Sequence, residues 1–545
     1  MIRSMGKVAM IARLLDGDQL ECQITTHQGR QLTLTGNTAD IEPTIEGDDD
    51  LHRNRALTNN AWAYSKFTFQ KVHLPTPDEQ KYAEKSAATH REVAQWIAKL
   101  ADNLMSESKD GWCSACFEHA EHQRAKRPAG QVHAYLCSNC GAPSLPCAGL
   151  GCKNMAVRDR GAIRVPQYCA EHQHKIPGFA KAKDKIDALT DYEELLKCDK
   201  PNLSRTTKIV GVGLAGLAIG APAGLVAAPA IGGAVGTLIG GYTGAAATSY
   251  GLALLGGGSL AAGGLGMAGG TLVITAAGGA LGNALGMSIA NAYVREDKSF
   301  HIEMLRGGQG VPVIVCNGFL SEKGRGWAEW KSLIDKRYRD SPVYRIHWGA
   351  KELKDLGILA QLGALKLAGA EAIKMAARTA TKAGAKKLGP LGPILFGADL
   401  AKNPWHVARA RADKTGAIVA DVLARTKEPS WVLVGHSLGA RVMAVAAQAL
   451  GTKPDGPRLQ TVHLTGAAIS AKRDPQALAA AVDGAIYNYH SINDNVLKYL
   501  YRTAEGGRMP AGLSGFTPTS DKLKNIHVAA DVKTHFDYYT KVNLL

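Results

Sequence analysis

The stretch Trp431-Val432-Leu433-Val434-Gly435-His436-Ser437-Leu438-Gly439-Ala440 decides how this chain is read. Trp431–Val434 is an unbroken apolar run, β-branched or aromatic at all but Leu433, and predicts a buried strand. Gly435-x-Ser437-x-Gly439 follows at once, and residues 440–450 have the composition of a helix. Strand, tight turn and helix in that order form the context a nucleophile elbow requires. The flanking glycines are expected to let the backbone turn sharply, and the small Ala440 to let the helix pack close. Such a turn presents the Ser437 hydroxyl at the carboxyl end of a strand and aims the Leu438 N–H at a nearby oxyanion. The bare motif arises by chance in long chains; its flanks carry the reading.

A serine hydroxyl needs an imidazole to take its proton and a carboxylate to orient that imidazole. On an α/β-hydrolase the chain order is Ser, acid, His. Asp494 follows the apolar run Ala485–Ser491 and precedes Asn495-Val-Leu, so it fits the acid; capping that helix is its other expected role. Asp474 and Asp483 have helix-like or loop surroundings and fit less well. His535, in Lys533-Thr-His-Phe-Asp-Tyr-Tyr539, lies beyond the last expected strand and fits the base. Its competitor His527, like His463 and His490, falls inside a strand-like run. For the second oxyanion donor, Val311–Cys316 reads as an early strand followed by Asn317-Gly318-Phe319, and the Phe319 N–H is expected beside that of Leu438.

From His301 onward the chain alternates strands and helices, the pattern of a parallel sheet. Helices are expected at Trp327–Ile334 and Asp399–Arg425, and strands at Pro342–His347, Leu459–Leu464, Ala485–His490 and Asn525–Ala529. An Ala-rich, lysine-studded helical insertion fills residues 350–390, where hydrolases often carry a cap; its basic face suits anionic headgroups.

Between Ile209 and Val294 there is no Asp, Glu, Lys or Arg. Glycines recur every fourth residue at Gly216, Gly220 and Gly224, at Gly232–Gly244, and at Gly278, Gly282 and Gly286. That period puts them on one helix face, where two backbones approach closely, a glycine zipper. With about 20 apolar residues needed per bilayer pass, the segment 208–298 is expected to insert into or lie against a membrane. Packing as a soluble bundle is the alternative, since its hydropathy is mild. A charged helical linker, 177–207, precedes it.

Of the 10 cysteines, seven lie between Cys113 and Cys169. Cys113-x-x-Cys116, Cys137-x-x-Cys140, Cys147-x4-Cys152 and Cys169-x-x-His172 present paired ligands from tight knuckles, as structural zinc requires. One site is expected from Cys113, Cys116, Cys137 and Cys140, the other from Cys147, Cys152, Cys169 and His172. A second division, with His119 replacing Cys113, stays open. The zinc module, 106–176, is therefore expected to hold one or two ions closed off by protein ligands. Residues 1–105 open with short alternating runs (Lys7–Leu15, Leu20–Thr26, Gln31–Thr35), a small β-meander, and continue into a helix over Gln80–Met105.

The formal net charge of +16 over 545 residues points to an acidic partner. No basic tract interleaved with aromatics appears, so an anionic membrane surface is favoured over nucleic acid. The zinc module or the N-terminal region could also bind a protein. The N-terminus lacks the uninterrupted apolar core of a cleavable secretory signal, and thiol clusters suit a reducing, cytoplasmic compartment.

With these residues in view, roughly 205–545 resembles the transmembrane and coiled-coil domain-containing, lipase-like α/β-hydrolases, long known only as a domain of unknown function. The matching features are the uncharged Gly-rich segment, Val313-Ile-Val-Cys-Asn-Gly-Phe-Leu320, Asn403-Pro-Trp-His-Val-Ala with Arg411-Ala-Asp-Lys414, and Val434–Arg441. Ser491-x-x-Asp494-x-Val496-Leu497 and His535-Phe-Asp-Tyr-Tyr539 complete the set. The resemblance implies a serine hydrolase beside a membrane-associating segment, with Ser437, Asp494 and His535 at the triad positions. The cysteine-rich region is not part of it.

The expected architecture is thus a β-rich N-terminal region, a zinc module, a glycine-zipper segment and an α/β-hydrolase domain over 299–545. The expected chemistry is hydrolysis of a carboxylic ester, a lipid or phospholipid foremost, through an acyl-enzyme. A non-catalytic membrane-docking adaptor and a membrane-perturbing lipase toxin are the alternatives.

Overall fold

The computed structural model describes residues 8–15, 19–37, 43–70, 77–126, 132–158, 166–173, 176–195, 297–318, 325–349, 398–451, 456–473, 478–517 and 520–545. The glycine-zipper segment, the helical insertion at 350–390, Phe319 and Asp474 lie outside them. The chain divides into two compact units, residues 1–186 with 191–296, and residues 187–190 with 297–545.

In the first unit, β1 (Ala9–Leu14), β2 (Gln19–Thr25), β3 (Gln31–Asn37) and β4 (Thr44–Gly47) form an antiparallel meander in that order. Period-two alternation buries Leu20, Cys22 and Ile24 on β2 and Leu32 and Leu34 on β3. Over this face pack α2 (Arg55–Gln70) and α3 (Pro77–Ala101), preceded by the short α1 (Asp49–Arg53) that Asp48 caps. The sequence pattern had shown α3 but not α2. Asn60 and Ser65 are fully buried on α2; they donate to the Ala56 and Ala61 carbonyls, and Asn60 Oδ1 meets His90 Nδ1 of α3 at 2.7 Å.

A second antiparallel meander follows: β5 (Leu104–Trp112), β6 (His119–Ala125), β7 (Ala134–Cys137), β8 (Pro143–Pro146) and β9 (Met155–Val157). The cysteine knuckles occupy its turns. Within the expected helical linker, 177–207, the described residues form short helical pieces. A 3-10 turn at Lys181–Lys183 ends at Asp184, whose backbone is extended, and only α4 (Tyr192–Leu195) is α-helical.

The second unit is a mixed α/β structure on a seven-stranded sheet. The strands are β10 (His301–Arg306), β11 (Val313–Cys316), β12 (Val343–His347), β13 (Ser430–His436), β14 (Arg458–Thr465), β15 (Ile486–His490) and β16 (Leu523–His527). Their order is β10-β12-β11-β13-β14-β15-β16, with β10 antiparallel at one edge and the other six parallel. From β11 the chain steps outward to β12, then crosses back to lay β13 on the other side of β11. The gap between the carboxyl ends of β11 and β13 is therefore a topological switch point, where open parallel sheets bind ligands.

β13 is buried from Trp431 through His436, which is why it reads as a continuous apolar run rather than an alternation. α5 (Trp330–Ile334) packs with the end of the chain on one face of the sheet, where Trp330, Leu333, Tyr538 and Tyr539 meet Val313, Val315, Val432 and Val434. α6 (Ala398–Arg425) lies along α7 (Leu438–Gly451), the helix that leaves the elbow. Arg441 on α7 forms a buried two-pronged ion pair with Asp413 on α6, at 2.7 and 3.1 Å. Among the described residues no helix is long and apolar enough to cross a membrane.

Candidate functional site

Ser437 has φ +59, a left-handed conformation that a residue with a Cβ rarely adopts. The surrounding structure holds it there. Its N–H donates to the Thr465 carbonyl at 3.0 Å, and its own carbonyl accepts from Ala468 N–H at 3.2 Å. The neighbouring glycines are needed for close approach, and neither has a positive φ. A Cβ on Gly435 would lie 2.5 Å from Ala440 Cα, and one on Gly439 would lie 2.0 Å from the Cys316 carbonyl oxygen. The strain sits on the serine, and the glycines let α7 press against β11.

Ser437 lies between the carboxyl ends of β11 and β13. Gly318, beyond β11, comes so near that a Cβ on it would stand 2.6 Å from Ser437 Cβ. That loop is fixed by Asn317, whose part the sequence reading had not seen. Its Oδ1 accepts from Trp330 Nε1 at 2.6 Å, its Nδ2 donates to Tyr539 Oη at 3.2 Å, and its carbonyl accepts from Trp348 Nε1 at 3.1 Å. The signal was present in Cys316-Asn317-Gly318: a polar residue directly after a buried strand must find buried partners.

Asp494 and His535 are brought together from loops after β15 and β16. Asp494 Oδ2 lies 2.6 Å from His535 Nδ1, with the two residues 0 % and 3 % exposed. The other oxygen, Oδ1, accepts from Leu497 N–H at 3.0 Å, so the carboxylate also caps the following turn, Val496–Tyr501, which is π-helical. The two loops are stitched by Ser491 Oγ donating to the Val532 carbonyl at 2.8 Å and Asn493 Nδ2 to the Ala529 carbonyl at 2.9 Å.

The His535 ring packs 4.7 Å, centroid to centroid, from that of His436, the residue just before the serine. His436 also touches Tyr539 at 4.7 Å. Burial, reinforced by the nearby His535, holds the His436 imidazole well below its usual range, so it is a neutral wall of the site. Leu438 is the first residue of α7, and its N–H is among those a helix N-terminus leaves without an intrahelical acceptor.

The remaining histidines and acids are elsewhere. His527 ends β16 and packs on His490 at 5.2 Å. His463, within β14, is bound by Tyr338 Oη at 2.7 Å and Tyr489 Oη at 3.2 Å. Asp483 pairs with Arg458 at the surface.

In the first unit the cysteines gather into the two expected sets: Cys113, Cys116, Cys137 and Cys140, and Cys147, Cys152, Cys169 and His172. Within each set the donor atoms lie within 4.8 Å of one another, so either could bind a metal ion. Cys113–Cys140 and Cys116–Cys137 are each 4.0 Å apart at sulfur, and Cys152–Cys169 is 3.9 Å. Tetrahedral thiolates at the usual Zn–S length stand about 3.8 Å apart, so the spacing fits zinc. His172 Nδ1 lies 3.4 Å from Cys147 Sγ and 3.3 Å from Cys169 Sγ. Backbone N–H groups of Ala115, Gly149, Asn154 and Cys169 point at the sulfurs, the outer shell a thiolate site uses. His119 is not in either set; it sits on β6 with its ring against Trp112.

A family model described as "Protein of unknown function (DUF726)" matches residues 203–545. An "Uncharacterized membrane protein C6F6.13c" of Schizosaccharomyces pombe is 29 % identical over 240 residues, 42 % of this chain and 40 % of that protein. The "Probable lipase MIL1" of Saccharomyces cerevisiae is 26 % identical over 280 residues, covering 50 % and 25 % respectively. The rice "Transmembrane and coiled-coil domain-containing protein STS1" is 26 % identical over 234 residues, covering 41 % and 34 %. The chain thus spans less than half the length of each of these relatives. No solved structure matches it. On the match to residues 203–545, the chain belongs to this DUF726 family.

Proposed function

We propose that the second unit is an α/β-hydrolase that cleaves carboxylic esters, lipase-like, with Ser437 as nucleophile, His535 as general base and acid, and Asp494 as the group that orients His535. The observation that carries this reading is Ser437 at φ +59 at the switch point, with the ring of the Asp494-bound His535 packed on His436, the residue just before the serine. His535 Nδ1 is engaged by Asp494, which leaves Nε2 to take the Ser437 proton as Oγ attacks the ester carbonyl. The tetrahedral oxyanion is held by the N–H of Leu438; the second expected donor, the Phe319 N–H, lies outside the described residues. His535 returns the proton to the leaving alcohol, and the acyl-enzyme is then hydrolysed. Low exposure at Ser437 and Asp494, 2 % and 0 %, strengthens every charge interaction in this sequence.

A relative named as a probable lipase and others named as membrane proteins support a lipid ester as substrate and a membrane surface as workplace. The uncharged segment 209–294 is the part of the chain suited to that surface. In the first unit the two cysteine sets hold structural zinc.

Labelling by a fluorophosphonate probe, run on the full chain and on Ser437→Ala, tests the enzyme reading. A panel of lipid esters in vesicles then identifies the substrate. Labelling of the wild type alone supports the assignment. Equal labelling of both proteins, or of neither, overturns it in favour of a non-catalytic membrane adaptor.

A further inference from the structure

At the β10 edge of the sheet, two histidines and a glutamate meet through cross-strand register. His301 stands opposite His347 in the β10–β12 pair, and Glu303 follows His301 on the same face of β10. One donor atom from each of the three lies within 4.8 Å of the others. We propose that His301, Glu303 and His347 form a third metal site, for a divalent ion of the zinc and cobalt class, that clasps the edge strand β10 to β12.

Two of the three ligands are braced from behind, and one of the stacked rings has only to tilt for both imidazole lone pairs to meet at one ion. His301 Nδ1 lies 3.0 Å from the Ser299 carbonyl, which places the proton on Nδ1 and leaves Nε2 as the lone-pair nitrogen. That Nε2 is buried and has no hydrogen-bond partner among the described residues. Glu303 is held by the Gly326 N–H, 2.9 and 3.0 Å from its two oxygens. A backbone carbonyl behind a histidine and a backbone amide on a carboxylate are the outer-shell contacts that fix metal ligands. The two imidazoles are stacked at 4.0 Å with 4° between their planes, an arrangement two imidazolium ions would resist.

An ordinary Glu–His hydrogen bond explains His347 Nε2 at 2.9 Å from Glu303 but leaves His301 Nε2 without a role. Nitrogen and oxygen bound to one tetrahedral ion stand about 3.3 Å apart, so the pair need open only slightly. The Arg345 guanidinium acts electrostatically on both Glu303 and His347 and works against a cation, which sets a modest affinity. The site lies two to three strands from β13, about 10–14 Å along the sheet. That is too far for the ion to touch the Ser437 hydroxyl, so its effect is on the edge strand rather than on the ester.

The test uses the full chain with its cysteine sites loaded with zinc, titrated with Co2+. Wild type is expected to take up a further equivalent of Co2+ whose spectrum lacks the sulfur-to-metal charge-transfer bands of a cysteine site, and to gain thermal stability. His301→Ala and His347→Ala should each weaken this uptake by about 100-fold or more, beyond the cost of losing an outer-shell partner. Cys137→Ser should leave it in place. Absence of uptake by wild type overturns the proposal whether or not the variants fold, and so does equal uptake by wild type and both histidine variants.

Discussion

Asp494 holds His535 with one carboxylate oxygen at 2.6 Å and caps the Val496–Tyr501 turn with the other at 3.0 Å. The two duties can be separated. Asparagine caps a helix about as well as aspartate, but cannot stabilise an imidazolium. Asp494→Asn should therefore cut ester turnover by roughly 10³–10⁴-fold while shifting the unfolding midpoint little. Asp494→Ala loses the cap as well, at a further cost of about 1 kcal/mol. Turnover and denaturant midpoints measured on both variants decide this; similar midpoints for the two would show that the capping bond is idle.

The close packing at the elbow gives a stability prediction with an internal control. A Cβ at Gly439 would meet the Cys316 carbonyl oxygen at 2.0 Å, and both atoms belong to backbone that has nowhere to go. Gly439→Ala should cost about 3 kcal/mol or more. At Gly307, outside the elbow, an added Cβ meets nothing within 4 Å and φ is not positive. Gly307→Ala should be neutral or stabilise by about 0.4–1 kcal/mol. Urea unfolding of the two variants checks the contrast.

These contacts also mark how far the sequence could be read. Strand β13 was legible because burial on both faces leaves an unbroken apolar run, and the Asp494–His535 contact because the chain order expected of a hydrolase singles out those two loops. The cysteine sets were legible because each knuckle is local. What no local pattern reveals is long-range register: His301 and His347 meet only because β10 and β12 pair, and Asn317 finds Tyr539 only once the chain end folds back. The α2 helix was missed because buried Asn60 and Ser65 interrupt the apolar stripe that defines an amphipathic helix.

Buried His463 makes stability depend on pH. Burial takes its imidazole down to about 3 in the folded chain, against about 6.5 unfolded. Between those values the unfolded chain carries a proton that the native one does not, so stability falls as pH drops from 6.5 towards 3. The slope is about 1.4 kcal/mol per pH unit for each such histidine. His463→Gln should flatten the acid limb of a stability–pH curve from denaturant melts. His436, lowered in the same direction, should keep part of the slope.

Metal removal should act on the first unit through its cysteine sets. The turns that hold Cys113, Cys116, Cys137 and Cys140 also connect β5 to β6 and β7 to β8. Without an ion to bridge them, crowded buried thiolates repel, and binding free energy is lost from folding. Cys137→Ser should lower bound zinc by about one ion per chain and speed amide exchange in β6–β8. Unchanged exchange would assign the set a role other than holding these turns.

Asn317 connects stability to turnover. Asn317→Ala leaves Trp330 Nε1 and Tyr539 Oη, now bonded at 2.6 and 3.2 Å, without that partner. The cost should be about 2–4 kcal/mol for two unsatisfied buried groups. Gly318, the next residue, lies against Ser437, so that contact should shift with Asn317. A displacement near 1 Å at a reacting group costs about 10²-fold in rate, so kcat should fall by that order in assays well below the variant's melting temperature. Fluorophosphonate labelling should slow in parallel, since the probe needs the same oxyanion donors. A variant that melts early yet labels at the wild-type rate would make Asn317 a stabilising residue only.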